Sequence, residues 1–266
     1  MNIAGLKQKI RHAIRDWMIR KLDQANYDVV KRVKRSQYPG EKNRFEYQKL
    51  YNTFHIEPGW VVLDIGGGHD PFPYATILSD LYPDETSHRS EPLVRDNRPF
   101  VVMDVQNIQM PDKSVDFIYC SHVLEHVEDP IKACSELMRV GKRGYIETPA
   151  VLSDNLFAWA GKTCHKWHVS AIADTLVFFE YTSRQKEGVR SAAWQDMIFS
   201  PYFHPVQEIF RNNPDLFYTM LKWEDRFRAV VFRLDASVQA LGLDSASKRD
   251  LSAKEPSKHD ETHSSS

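Results

Sequence analysis

Asp64 followed by Gly66-Gly67-Gly68 is the densest chemical signal in the chain. The acid follows the apolar run Val61-Val62-Leu63 and precedes Ile65. Apolar residues on both sides of it predict a strand covered on both faces. Three successive glycines let the backbone turn sharply and approach a ligand with no Cβ in the way. In α/β proteins this combination cradles a nucleotide-like ligand at the carboxyl ends of the strands. The second reactive set is histidine: His69, His122, His126, His165, His168 and His204. Imidazole titrates near neutrality and suits general-base work.

These residues need a scaffold, and short apolar runs supply one. Val61–Asp64, Ala75–Ser79, Phe100–Met103, Val115–Cys120 and Gly144–Glu147 read as strands. Ile131–Val140 has helical spacing and follows Asp129-Pro130, a helix start signal. Strands alternating with crossovers predict an α/β fold with a mainly parallel sheet and right-handed connections. Phe217–Trp223 and Phe227–Leu234 flank Glu224-Asp225-Arg226 and predict a terminal antiparallel hairpin. His168–Ile172 and Thr175–Tyr181 flank Ala173-Asp174 as a second one.

Composition bounds the rest. The 266 residues suffice for one large domain or two small ones. The segmentation is an N-terminal helical extension over 1–40, a main domain over 41–235 with an acceptor-site insertion over 151–210, and a disordered tail over 236–266. No run approaches a membrane span, and no secretory signal is visible. Cys120, Cys134 and Cys164 form no CxxC pair, so a reducing, cytoplasmic setting fits. The net charge of −1 carries no nucleic-acid signature. Residues 1–44 nevertheless hold twelve Lys or Arg against four Asp or Glu. Ile3, Leu6, Ile10, Ile14, Trp17, Met18 and Leu22 recur there at helical spacing. That helix could cover a ligand mouth or make peripheral contact with an anionic membrane. It lacks a groove-reading or base-stacking motif.

An NAD site is the obvious competitor for the glycine turn. Its fingerprint places a third glycine where this chain has Pro71. Asp70-Pro71-Phe72-Pro73 also opposes a helix start, so no helix N-terminus is available for a pyrophosphate. A ligand with an adenosine and no phosphates fits better, and S-adenosyl-L-methionine is one.

Leu63–His69, Met103-Asp104-Val105, and the run from Met110 through Leu124-Glu125-His126-Val127 together resemble a known pattern. The chain resembles the class I S-adenosylmethionine-dependent methyltransferases, of the small-molecule type with a Leu-Glu-His-Val signature. The resemblance covers roughly Glu57 to Pro149. It implies a Rossmann-like fold, a mainly parallel sheet closed by an antiparallel hairpin, and helices on both faces. It further implies that Asp64, Gly66, Gly67 and Gly68 lie beneath the methionine part of the cofactor. Asp80 would accept the ribose hydroxyls, with Asp84 and Glu85 as alternatives, and Asp64 could instead cap the turn. Asp104 and the Val105 N–H would meet the adenine, and the Cys120-Ser121 backbone would border the reacting methyl. Only sixteen residues separate Asp64 from Asp80. The helix the family has there is expected to be shortened or replaced by a loop.

The acceptor side rests on the histidines. His122, His126 and His168 are the candidate catalytic residues, with Glu125 and His126 also expected to fix the loop after the fourth strand. His165-Lys166-Trp167-His168 suggests an acceptor pocket. It also hints at a metal, but with no clear carboxylate partner none is expected. The expected activity is methylation of a small-molecule or sugar-like acceptor, on oxygen. Two alternatives are a non-catalytic adaptor at a membrane or partner protein and an NAD-dependent oxidoreductase. Oligomeric state is not readable.

Overall fold

Val62, Leu63, Asp64 and Ile65 are all buried, as a doubly covered strand requires. The computed structural model describes residues 3–25, 45, 48–49, 52–84, 91–156, 164–183, 185 and 205–243. In chain order these form α1 (Ile3–Gln24), β1 (Val62–Ile65), β2 (Ile77–Asp80), β3 (Phe100–Val102), β4 (Phe117–Ser121), α2 (Pro130–Val140), β5 (Arg143–Pro149) and α3 (Val151–Leu156). They continue with β6 (Trp167–Ile172), β7 (Thr175–Glu180), α4 (Pro205–Asn212), α5 (Pro214–Phe217), β8 (Tyr218–Glu224), β9 (Arg228–Phe232) and β10 (Val238–Leu241). α1 belongs to a compact unit separate from the one that holds the strands. Among the described residues no helix is long and apolar enough to cross a membrane.

Six strands form one sheet in the order β3-β2-β1-β4-β5-β8. β1 runs parallel to both β2 and β4, and β5 parallel to β4. Strand alternation divides the side chains between two faces. Leu63, Ile65, Ile118, Cys120 and Ile146 enter one apolar cluster with Ala133, Cys134, Leu137 and Val140 of α2. Val62, Phe117, Tyr119 and Tyr145 join a second cluster with Phe45, Phe72, Ala75 and Leu78. The Phe72 and Tyr119 rings stack there at 4.2 Å. α2 starts as expected: Asp129 caps it by accepting from Lys132 N at 3.1 Å, and Pro130 occupies its first turn.

The other four strands form a second sheet, β10-β9-β7-β6. β6 and β7 pair antiparallel through Ala173-Asp174, as the sequence predicts. Trp167, Val169, Leu176, Phe178, Ala229 and Val231 of this sheet share the apolar cluster that holds α2.

Three expectations need correction. The terminal hairpin does not form: β8 pairs antiparallel with β5 along its whole length, and β9 pairs parallel with β7. The reason lies in the link between them. Asp225 takes φ 60°, its N–H donates to Lys142 O at 2.8 Å, and Arg228 N donates to Asp174 O at 2.8 Å. Each strand is thus drawn to a different edge, and a single antiparallel strand closes the main sheet. β10 falls inside the stretch expected as tail, because Val238–Leu241 completes the free edge of β9. Residues 244–266 lie outside the described ones, as do 26–44, Glu85 and His204. Finally, the strand expected at Ala75–Ser79 begins at Ile77. No helix occurs between β1 and β2, in line with Pro71 and Pro73.

Candidate functional site

The main sheet's order reverses between β1 and β4. Such a switch point opens a crevice at the carboxyl ends of the strands, where α/β proteins bind ligands. The glycine turn sits there. Gly66 and Gly68 have φ of 71° and 54°. Gly66 N and Gly67 N donate to Ser79 O at 2.9 and 3.1 Å, tying the turn to the end of β2. A Cβ on Gly67 would come within 2.7 Å of Asp64 Oδ2, and one on Gly66 within 2.4 Å of Val123 Cγ2. Glycine is therefore required for packing as well as for backbone angle.

Asp64 is buried, and its Oδ2 accepts from Phe72 N at 2.7 Å. The carboxylate ties down the loop that replaces the missing helix. Asp80 ends β2, buried, with Oδ1 accepting from Tyr82 N at 2.9 Å. Asp104 follows β3, where its Oδ1 accepts from Gln106 N at 2.8 Å, and Val105 beside it is buried. Asp84, the alternative to Asp80, is exposed. Cys120 in β4 is fully buried on the core face, and burial pushes its thiol pKa well up. Only its backbone can border a ligand. All these expected residues fall at the carboxyl ends of β1 to β4.

Directly after β4, His122 adopts φ 58°, a left-handed conformation uncommon for a side-chain-bearing residue. Its Nδ1 lies 3.5 Å from Glu125 Oε1 and its Nε2 3.4 Å from Glu147 Oε1. Both carboxylates are buried, whereas the His122 side chain is 31% exposed. Burial opposes the His122 cation, but hydrogen bonding and charge from Glu125 and Glu147 outweigh it and raise its pKa to about 9. Burial likewise opposes the Glu125 anion. His122 hydrogen bonding and the neighbouring imidazoles overcome that and hold its pKa at about 2.

Glu147 is the residue that sequence reasoning missed. It lies in β5, fully buried, where Tyr145 Oη donates to its Oε2 at 2.6 Å and Gln48 Nε2 at 2.9 Å. Ser121 Oγ donates to Oε1 at 3.3 Å. A carboxylate directly after the apolar Tyr145-Ile146 of a predicted strand was the available signal.

The remaining histidines lie in a chain of contacts leading from Glu125 to β6. His126 Nε2 stands 3.7 Å from Glu125 Oε1, and its Nδ1 is 3.3 Å from Cys164 O. Burial lowers its pKa and so favours the neutral ring. The His126 and His165 ring centres are 4.7 Å apart, edge to face. His165 Nδ1 pairs with Asp154 Oδ1 at 3.0 Å. Burial opposes the His165 cation, but Asp154 and Glu125 raise its pKa overall. Tyr181 Oη donates to Asp154 Oδ2, and its ring lies 3.6 Å from that of His168. His168 is buried in β6. His122 and His126 therefore share Glu125, while a series of contacts through Tyr181, Asp154 and His165 links His168 to them.

Residues 66–146 match a family model described as a methyltransferase domain. Uncharacterised methyltransferases of Mycobacterium tuberculosis and Mycobacterium bovis are 35% identical over 107 residues, covering 36% of this chain and 41% of theirs. The chain thus spans well under half the length of these curated relatives. A S-adenosylmethionine-dependent methyltransferase from Thermotoga maritima aligns at 24% identity and a TM-score of 0.28, over 36% of this chain and 46% of that one. One from Methanosarcina mazei aligns at 22% identity and a TM-score of 0.25, over 35% and 53%. Overlaps this partial add nothing to the fold, which rests on the strand order. The glycine turn at the β1/β4 switch point, the single antiparallel closing strand and the matched segment agree: residues 66–146 carry a methyltransferase domain on a Rossmann-like α/β sheet.

Proposed function

We propose that this protein transfers a methyl group from S-adenosyl-L-methionine to an oxygen of a small-molecule or sugar-like acceptor, with His122 facing that acceptor. The carrying observation is the position of His122, at the switch point and between two buried carboxylates. When bound, the cofactor supplies an electrophilic methyl on a sulfonium. Asp80 would hold the ribose, Asp104 and the Val105 N–H the adenine, and the Gly66–Gly68 turn with the Cys120-Ser121 backbone the methionine part. The buried acids at the ends of β1 and β2 and the turn that excludes any Cβ support this fit. The lack of a helix after the turn favours a ligand without a pyrophosphate.

Methyl transfer depends mostly on positioning the nucleophile. The unit of His122, Glu125 and Glu147 would orient an acceptor hydroxyl and, as pH rises towards about 9 and the ring becomes neutral, receive its proton as the new O–C bond forms. His122 suits this better than the other two histidines. The His126 nitrogens face Cys164 O and Glu125, and His168 is buried against Tyr181.

Calorimetric titration with S-adenosylmethionine, S-adenosylhomocysteine and NAD tests the cofactor, with Asp80→Ala alongside. Micromolar binding of the two sulfur compounds, weakened in Asp80→Ala and absent for NAD, is the expected result. A folded protein that binds NAD alone overturns the reading. Assays against polysaccharide-derived sugars and against amines test the acceptor atom, and methylation of amines alone overturns the oxygen preference.

A further inference from the structure

We propose that Glu125, His126 and His165 form a site for one divalent transition metal of the zinc class, joining the loop after β4 to the segment that leads into β6. One ligand atom from each of these side chains lies within 4.8 Å of the others. Zinc bonds of about 2 Å at tetrahedral angles place ligand atoms about 3.4 Å apart. His126 Nε2 and Glu125 Oε1, at 3.7 Å, are already near that spacing. The third ligand atom, from His165, lies within 4.8 Å of both, so the three can close on an ion by side-chain movement.

The second observation is Glu125 itself. Its side chain is 1% exposed, and among the described residues its carboxylate has only long contacts from imidazole nitrogens, none with the geometry of a full hydrogen bond. The nearest of these are His122 Nδ1 at 3.5 Å and His126 Nε2 at 3.7 Å. A buried carboxylate held only by such long contacts is costly to maintain, and it is a strong ligand for a cation.

The outer contacts match those of metal-bound histidine. Such a ligand usually directs its other ring nitrogen at a carboxylate or a backbone carbonyl, which fixes ring and tautomer. His165 Nδ1 faces Asp154 Oδ1 at 3.0 Å, and His126 Nδ1 faces Cys164 O at 3.3 Å. Each histidine then has Nε2 for the metal. Asp154 is itself held by Tyr181 Oη. Glu125 O also accepts from Lys166 N and Trp167 N at 2.7 and 3.3 Å, so the two segments are fastened by backbone as well.

Ligand chemistry narrows the ion. Magnesium and calcium take oxygen ligands, whereas two imidazoles and one carboxylate suit zinc, cobalt or iron. Three protein ligands leave a coordination position open, as in catalytic zinc sites.

The test uses the full chain, stripped with EDTA and titrated with Co²⁺ and then Zn²⁺. The expected result is one Co²⁺ per chain, with visible d–d bands that Zn²⁺ abolishes. Affinity should fall about a hundredfold or more in His165→Ala and in Glu125→Gln. His55→Ala, an exposed histidine elsewhere, should bind as the parent does. Histidine-detected NMR on the unmutated chain gives a readout that survives a variant's failure to fold. Zn²⁺ should move the His126 and His165 ring signals and lock both as Nδ1-protonated tautomers. No stoichiometric binding by the folded parent overturns the site. So does affinity unchanged in folded variants, or Zn²⁺ shifts confined to other histidines.

Discussion

His122 and Glu147 are joined twice. The His122 backbone N–H donates to Glu147 O at 2.8 Å, and His122 Nε2 lies 3.4 Å from Glu147 Oε1. The left-handed backbone of His122 makes both contacts compatible, because it turns the chain out of β4 while the ring stays over the end of β5.

Removing the second link should lower the His122 pKa. In EDTA-treated protein the ring should titrate near 9, and Glu147→Gln should bring that down by about one unit or more. The folded value lies above the ordinary imidazole value of about 6.5. The stabilisation it reports is therefore complete below about pH 6.5 and disappears as pH rises through about 9. NMR titration checks the value. Urea unfolding at pH 6 and pH 10 checks the sign, with Glu147→Gln costing about 1–3 kcal/mol at the lower pH.

Gly67→Ala should weaken cofactor binding and destabilise the fold together. Its Cβ would press on Asp64 Oδ2 and break the carboxylate's hold on Phe72 N. An overpacking cost of about 1–3 kcal/mol is expected in urea unfolding. Affinity for S-adenosylhomocysteine, read by calorimetry, should fall at least about tenfold. Parent-like values in both measurements would show that the turn can relax around a methyl group.

Asp129→Ala should cost about 1 kcal/mol by uncapping α2. Asp129→Asn should recover most of it, since an amide oxygen can still accept from Lys132 N. Far-UV circular dichroism during urea unfolding separates the three proteins.

Acid should unfold the chain partly through Asp116 and Glu136. Hydrogen bonding from Lys142 lowers the Asp116 pKa, and hydrogen bonding from Arg139 lowers that of Glu136. Folded values below the unfolded ones give stability that is present above about pH 4.5 and is lost as pH falls through the folded values. Asp116→Asn should be less stable than the parent at neutral pH and should lose less between pH 5 and pH 3. An unchanged acid slope would exclude Asp116 as a contributor.

The chain's local chemistry determined much of this protein without tertiary help. Buried runs at Val62–Ile65 and Phe117–Ser121 set the parallel strands, because only residues covered on both faces can be so continuously apolar. Asp129-Pro130 set the start of α2, and Pro71 ruled out a helix after the glycine turn, both through backbone stereochemistry. Asp64, Asp80 and Asp104 were legible as strand-end acids for the same local reason.

Tertiary structure decided the partners. β8 and β9 look like a hairpin in sequence, yet β5 and β7 offered each a longer edge, and hydrogen bonds from Asp225 and Arg228 split them. Glu147 became a functional candidate only when β4 and β5 paired Ser121 with it. The histidine segment at 165–168 carries no nearby acid that marks a metal site. Glu125, forty residues earlier, reaches His165 only because the loop after β4 is pinned to the backbone of Lys166 and Trp167. Alternation and capping act over a few residues and can be read along the chain. Edge pairing and side-chain clusters depend on which distant surfaces meet, and that is settled only by folding.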